Sequence, residues 1–274
     1  LYLRAVSRYF VDGVEVPLDQ FVVPADDPGF TRGLNAFETV RTYGRRIFRL
    51  DAHLDRLFTS VEAMEVIPAP PREVLRHELL EAARDVTAQQ PLTLRLTLTG
   101  GGRRLLQVEP LDLSRVHAPI RVVTRRYEPP AWLDGRIKHG SRAVNVVACS
   151  KAGVDEIIWV GHDGCITEAT RSSIFGVVDN VLWTPPLDER ILSGVTRAAL
   201  LEAAAEANIP FAVRTLPAGS AFTELYATST LKEIAPVAEI DGRPGPAFSS
   251  GHADGFGPVG AALKRAMAVL TARA

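Results

Sequence analysis

The sequence predicts a mixed α/β chain of the α+β kind, built as two domains, and three observations carry that expectation. The 274 residues are 46% apolar, enough for one large or two medium cores. In the first half, strand-like alternation outweighs helical periodicity, which gives a small α/β domain. In the second half, short strands follow one another between turn residues, which predicts a larger domain around an antiparallel, barrel-like sheet.

The elements follow in order. Residues 9–11 and 14–16 flank Asp12-Gly13, and residues 37–43 and 46–50 flank Gly44-Arg45, two hairpins in prospect. Leu54, Leu57, Phe58 and Val61 recur at helical spacing over residues 50–64, with Asp51 as the expected N-cap, and a second helix is expected over 71–87. Residues 92–98 alternate and end in Gly100-Gly101-Gly102, and residues 120–125 read as a further strand. Adjacent Pro129 and Pro130 stop both helix and ladder, so a linker is placed at 126–136, between domains at 1–125 and 137–274. Beyond it a helix is expected at 142–151. Strands follow at 156–160, 165–168, 173–178 and 181–184, with turns at His162-Asp163-Gly164 and Asp179-Asn180. A helix over 196–207, strands at 211–214 and 225–228, and a helix over 259–272 complete the chain.

Composition excludes several function classes. Formal charge is −1 with both signs dispersed, so neither a nucleic-acid stripe nor a membrane-binding basic cluster is expected. Arg4 and Arg8 interrupt the opening apolar residues, and no run approaches the roughly 20 residues of a membrane span. A cytoplasmic protein acting on small molecules is therefore expected. Cys149 and Cys165 lack metal-like spacing and are expected to be packing residues. Lysine is scarce, occurring at 138, 151, 232 and 264, and arginine stays protonated and forms no imine. Amine chemistry therefore has four candidates.

Lys138, in Arg136-Ile137-Lys138-His139-Gly140, sits between two elements, where desolvation lowers an ammonium pKa toward nucleophilicity. An isolated lysine is ordinarily a surface lysine. Glu168 ends a strand; a carboxylate there suits a pyridine nitrogen, which it keeps protonated, although taken alone a salt bridge to Arg171 or a surface charge explains it better. Ser193-Gly194-Val195-Thr196 precedes a helix whose amides suit a phosphate, and Thr228-Ser229-Thr230 adds hydroxyls at a strand end. Arg56 offers a bidentate guanidinium. Caps, turns and helix salt bridges account for each of these separately.

The order and spacing of the whole set resemble the fold-type-IV pyridoxal-phosphate enzymes, which include D-amino acid and branched-chain aminotransferases, R-selective amine transaminases and aminodeoxychorismate lyases. The resemblance spans nearly the whole chain. It shows in Phe37-Glu38-Thr39-Val40-Arg41, His53-Leu54-Asp55-Arg56-Leu57, Ile137-Lys138, Asp155-Glu156 through Gly164 to Thr167-Glu168, Thr184-Pro185, Ile191 to Arg197, and Thr228-Ser229-Thr230 ahead of Glu233-Ile234-Ala235-Pro236-Val237. It implies that Lys138 carries pyridoxal 5'-phosphate as an imine and then serves as acid and base, and that Glu168 pairs with the pyridine nitrogen. It assigns the phosphate to Arg56, Val195, Thr196, Ser229 and Thr230, puts Arg142 near the phenolic oxygen, and lines the substrate pocket with Phe37. A homodimer is implied as well. Two departures stand out: Arg32-Gly33-Leu34-Asn35-Ala36 replaces the usual Gly-Asp-Gly, and Ser173 replaces a frequent Asn.

Thr228-Ser229-Thr230 is closer to the D-amino acid branch, in which an arginine and a histidine trap the substrate carboxylate. Arg103 and Arg104 are available here, while Leu106 falls at the histidine position. The resemblance thus favours transamination between D-amino acids, such as D-alanine or D-glutamate, and 2-oxoglutarate or pyruvate, with side activity on R-amines. Aminodeoxychorismate lyase is the alternative, a branched-chain L-amino acid aminotransferase the third, and an inert pyridoxal-phosphate-binding protein the non-enzymatic one.

Overall fold

The computed structural model describes residues 7–65, 67–84, 87 and 90–273. Arg4 and the expected helix residues 85 and 86 lie outside that set. The chain forms two compact units, one reaching Asp112 and taking in Ile137–Arg142, the other made of Leu113–Arg136 and Ala143–Arg273. Mixed α/β architecture is found, as the sequence predicts. Among the described residues, no helix is long and apolar enough to cross a membrane.

The first unit is a six-stranded antiparallel sheet with helices. In chain order it contains β1 (Arg8–Val11), β2 (Val14–Val16), the single-turn α1 (Pro28–Thr31), β3 (Asn35–Tyr43), β4 (Arg46–Ile47), α2 (Leu50–Met64), α3 (Arg72–Ala82), β5 (Leu92–Thr99) and β6 (Arg104–Pro110). The strands run β2-β1-β6-β5-β3-β4. α2 turns Leu50, Leu54, Leu57 and Val61 inward, onto Val40, Leu94, Leu96 and Leu98 of the sheet. This is the spacing of an amphipathic helix.

Two expectations here need correction. Residue 50 belongs to the helix and not to a strand reaching 50, because the ladder with β3 ends at Ile47. Asp51 does not cap α2: the N-cap position is Arg49, which is left-handed (φ 50°) and makes no side-chain cap bond, and the Asp51 carboxylate is taken instead by Arg72 and Arg76. Ile137–Arg142 belongs to this unit because its backbone runs along the start of β3. His139 bridges Ala36, and the Phe37 and Gly140 amides bond Lys138 O at 3.1 Å and Asn35 O at 2.9 Å. A Cβ at position 140 would lie 1.9 Å from Asn35 Oδ1, so a larger residue there displaces the Asn35 side chain.

The second unit holds β7 (Ile120–Arg126), α4 (Ala143–Ala152), β8 (Glu156–Val160), β9 (Cys165–Ala169), β10 (Ser173–Val178), β11 (Val181–Thr184) and α5 (Val195–Glu206). It continues through β12 (Phe211–Val213), β13 (Leu216–Pro217), β14 (Glu224–Ser229), β15 (Glu233–Ile240), β16 (Arg243–Pro244), α6 (Pro246–Ser249) and α7 (Pro258–Ala272). Its ten-stranded sheet runs β12-β11-β10-β14-β15-β7-β8-β9-β13, with β16 on β15. Most pairs are antiparallel, as expected, but β11–β12, β15–β7 and β7–β8 are parallel. Asp179 and Asn180, both at positive φ, turn β10 into β11, the two-residue hairpin geometry that Asn and Asp tolerate.

The strand over 120–125 therefore sits differently from the expected division at 1–125 and 137–274. Both of its neighbours, β8 and β15, belong to the second unit, and the prolines of 126–136 interrupt a crossover, not a boundary between consecutive domains. The core of this sheet is built from Ile158, Ile174, Leu225, Ala227, Ala235 and Val237, all essentially inaccessible.

Candidate active site

In the first unit, β3 carries Phe37 and Glu38 on opposite faces, as strand alternation requires. The Phe37 ring has Arg95 of β5 on it, guanidinium carbon 3.9 Å from the centroid, and Lys138 Nζ 4.9 Å from the centroid. Lys138 is half-buried, and its backbone is fixed from two directions: the amide donates to Ser60 Oγ at 3.0 Å and the carbonyl accepts from Phe37. Arg95 is exposed on β5, yet partial desolvation by the atoms packed around it pushes its pKa down, and the charge of Arg142 adds to that. Burial, again helped by Arg142, lowers the pKa of His139. A cation-rich setting of this kind favours an anion.

Glu38 is 2% exposed and His53 equally so. Arg56 Nε and Nη2 donate to the two Glu38 oxygens at 2.7 and 2.8 Å, a bidentate pair, and His53 Nδ1 lies 2.8 Å from Oε2. Because the carboxylate only accepts, Nδ1 carries the proton. Burial opposes ionisation of Glu38, but Arg56 and the hydrogen bonds from His53 and Arg56 outweigh it, with Lys138 adding charge, and hold the carboxyl far below the usual range. His53 is pushed down, chiefly by burial.

In the second unit, Glu168 stands on β9 and its Oε2 accepts from the Leu192 amide at 3.0 Å. The salt bridge weighed against it goes elsewhere: Arg171 Nη2 donates to Asp155 O at 2.6 Å. Val195 and Thr196 form the first turn of α5 behind Gly194, so their amides point out of the helix end. Ser173 and Thr228 are paired across β10 and β14 and so share a face. Ser173 Oγ lies 2.6 Å from where a Gly194 Cβ would stand. Thr228 Oγ1 is buried with no hydrogen-bond partner among the described residues. A buried hydroxyl normally has one, so an orphan on the face that carries Ser173, whose Oγ lies by Gly194 at the start of α5, fits an oxygen-bearing group such as a phosphate.

Arg103 and Arg104, expected at the substrate, are engaged elsewhere. Arg103 Nη1 donates to Asp12 Oδ2 at 2.5 Å and Arg104 Nη2 to Glu78 Oε1 at 2.8 Å. Glu38, His53 and Arg95 have no role that the sequence alone assigns. Glu38 faces inward from a strand, and His53 shares the apolar stripe of α2, so both broke the pattern visibly. Arg95 looked like an ordinary outward-facing strand residue.

The first unit holds Lys138 beside the Glu38 charge cluster, and the second holds Glu168 and, separately, the start of α5 with hydroxyls near it. Taken each by itself, these are groups of the kind an amine-reactive, phosphorylated cofactor requires. The chain belongs to the class IV aminotransferases: residues 35–240 match the family model Amino-transferase class IV. Pyridoxal 5'-phosphate is the cofactor of that class. The chain is 31% identical, over 86% of its length and 88% of the other, to a protein of Methanocaldococcus jannaschii provisionally named a branched-chain-amino-acid aminotransferase. It is 29% identical, over the same shares, to a D-alanine aminotransferase of Listeria monocytogenes. It is 28% identical, over 83% of its own length, to branched-chain-amino-acid aminotransferase-like protein 2 of Arabidopsis thaliana, of which it spans 45%. Among solved structures, it is similar to a hypothetical aminotransferase from Mycobacterium tuberculosis in its PLP-bound form, with TM-score 0.84, 25% identity and 97% and 99% of the two chains covered. An alpha-ketoglutarate and PMP bound form of such a protein gives TM-score 0.83, also at 25% identity, over 96% and 98%.

Proposed function

We propose that this class IV aminotransferase moves amino groups from D-amino acids, D-alanine and D-glutamate first, to 2-oxoglutarate or pyruvate, with side activity on R-amines. The observation that carries the proposal is the single ring of Phe37 with Lys138 on it and Arg95 against it: an amine for the chemistry and a cation for the substrate carboxylate share one hydrophobic wall. Bound pyridoxal 5'-phosphate supplies an amine-exchanging carbonyl and an electron-withdrawing ring.

The chain's own residues do the rest. Lys138 Nζ takes and returns the proton of the donor's α-carbon. Glu168 holds the proton on the pyridine nitrogen, raising its pKa by opposite charge. The family resemblance assigns the phosphate to Val195, Thr196, Ser229 and Thr230 and also to Arg56, whose guanidinium is held by Glu38. Arg142, whose charge reaches Arg95 and His139, would neutralise the phenolic oxygen of the bound cofactor. Arg95 anchors the substrate carboxylate in preference to Arg103 and Arg104, which already have carboxylate partners.

The D-preference is supported by Thr228-Ser229-Thr230 and by the Listeria relative. The archaeal relative supports the second reading, a branched-chain L-amino acid aminotransferase. Initial rates with both enantiomers of alanine, glutamate and leucine and 2-oxoglutarate as acceptor decide between them. Faster turnover of L-leucine than of D-alanine and D-glutamate overturns the D-assignment. Borohydride reduction followed by peptide mapping is expected to mark Lys138, and Lys138→Ala to abolish turnover; an unmarked Lys138 sinks the proposal outright.

A further inference from the structure

Lys232 and Glu156 have no part in the scheme above, yet they form a buried ion pair in the second unit. Glu156 opens β8 with a fully inaccessible side chain. It accepts from Ser172 Oγ at 2.7 Å, from the Arg171 amide at 2.9 Å, from Thr170 Oγ1 at 3.4 Å, and from Lys232 Nζ. The first three donors make the corner between β9 and β10, just past Glu168. The fourth comes from the turn between β14 and β15, just past Ser229 and Thr230.

That turn is held at several further points. The Lys232 amide reaches Ser229 Oγ at 3.4 Å, and the Lys232 carbonyl accepts from the His117 amide at 3.1 Å. Glu233, which follows, is left-handed (φ 55°), with its carboxylate 3.4 Å from His117 Nε2. A non-glycine residue persists in that conformation only where its surroundings over-determine it. A buried carboxylate–ammonium pair, for its part, is a poor source of stability, because dehydrating both charges offsets most of their attraction. What such a pair does supply is a fixed distance between the segments it joins.

We propose that Lys232 and Glu156 are positioning residues that hold the Ser229–Thr230 turn against the β9–β10 corner and thereby set the affinity for the cofactor's phosphate. The proposal rests on the assignment of Ser229 and Thr230 to that phosphate. It predicts an effect confined to the phosphate, which general damage to the fold would not give.

The test compares pyridoxal 5'-phosphate with pyridoxal, which lacks the phosphate, on the full chain and on Lys232→Met, Glu156→Gln and the double variant. Each single variant leaves one charge unpaired and is expected to melt earlier. The double variant removes both charges and is expected to recover most of the lost thermal stability, while its dissociation constant for pyridoxal 5'-phosphate rises on the order of tenfold, the scale of lost outer-sphere support. Its pyridoxal affinity is expected to stay within about twofold of the parent's, well inside that same scale. If the double variant does not fold, Lys232→Arg carries the comparison: it keeps the charge on a differently shaped head group and should weaken only the phosphorylated ligand. Unchanged affinity for pyridoxal 5'-phosphate, or equal loss of both ligands, overturns the proposal. Failure of the parent chain to bind pyridoxal 5'-phosphate at all overturns the phosphate assignment, and the inference with it.

Discussion

At Glu38 and His53 the first unit stores a charge balance that acid upsets. His53 has a folded pKa below its ordinary 6.5, so the unfolded chain binds more protons there, and stability is lost as pH falls from about that value. Glu38 also has a lowered pKa, so its contribution is complete above the ordinary carboxylate range and is lost as pH falls below it. Both signs agree. Melting temperature should therefore decline in two stages, first below about pH 6.5 and then more steeply below about pH 4.5, the ordinary values of the two groups. Glu38→Gln should flatten the second stage; an identical acid profile in that variant would refute this.

Arg95 carries a separate prediction. Replacing it with Ala removes charge-assisted hydrogen bonds worth about 1.5–3 kcal/mol, so KM for D-alanine should rise by roughly ten- to a hundredfold. Turnover of an R-amine, which has no carboxylate, should change far less. Equal losses on both substrates would move the carboxylate anchor elsewhere. Lys138 and Glu168 were singled out by the order and spacing of the whole motif set, each alone reading as an ordinary surface lysine or ion-paired carboxylate. Glu38 and His53 were visible as polar side chains at apolar positions but had no partner until the fold brought α2 onto β3. Arg95 gave no such signal, because the exposed face of a strand ordinarily carries polar residues.

The second unit's helices depend on small residues where they meet the sheet. Glu224 of β14 accepts from the Val259 and Gly260 amides at 3.1 and 2.7 Å, serving as the cap that α7 lacks in its own sequence. A Cβ at Gly260 would stand 1.9 Å from Tyr226 Oη, a side chain with no accessible surface. Gly260→Ala should cost about 1–3 kcal/mol, the range for overpacking a closed core. A denaturant midpoint equal to the parent's would show that α7 shifts freely.

Elements defined by local pattern were largely readable: the β1–β2 hairpin, α2, the β10–β11 hairpin and α5 fall within a residue or two of their expected places. β15 was not. Pro236 lies within it and cannot donate to a ladder, and the register shift between Val237 and Glu239 beside it breaks the alternation. Its parallel partner β7 lies far away in sequence, out of reach of any local signal.

Over the whole chain, cofactor binding and stability are coupled. A ligand that binds only the folded state stabilises it by about 2.7 kcal/mol when present at a hundredfold above its dissociation constant. Added pyridoxal 5'-phosphate should raise the melting temperature in a concentration-dependent way, and Lys138→Ala should need more cofactor for the same rise. A melting temperature indifferent to cofactor would contradict the phosphate and imine assignments together.

The placement of β7 between β15 and β8 bears on how the protein is made. Thr124 of β7 donates its amide to Asp241 across 117 residues of sequence. At roughly 5–20 residues per second of translation, β7 leaves the ribosome on the order of ten seconds before the strand that flanks it. Through that interval one side of β7 has no native neighbour, and the nascent chain carries an open sheet edge that chaperones or a sister polysome could find first.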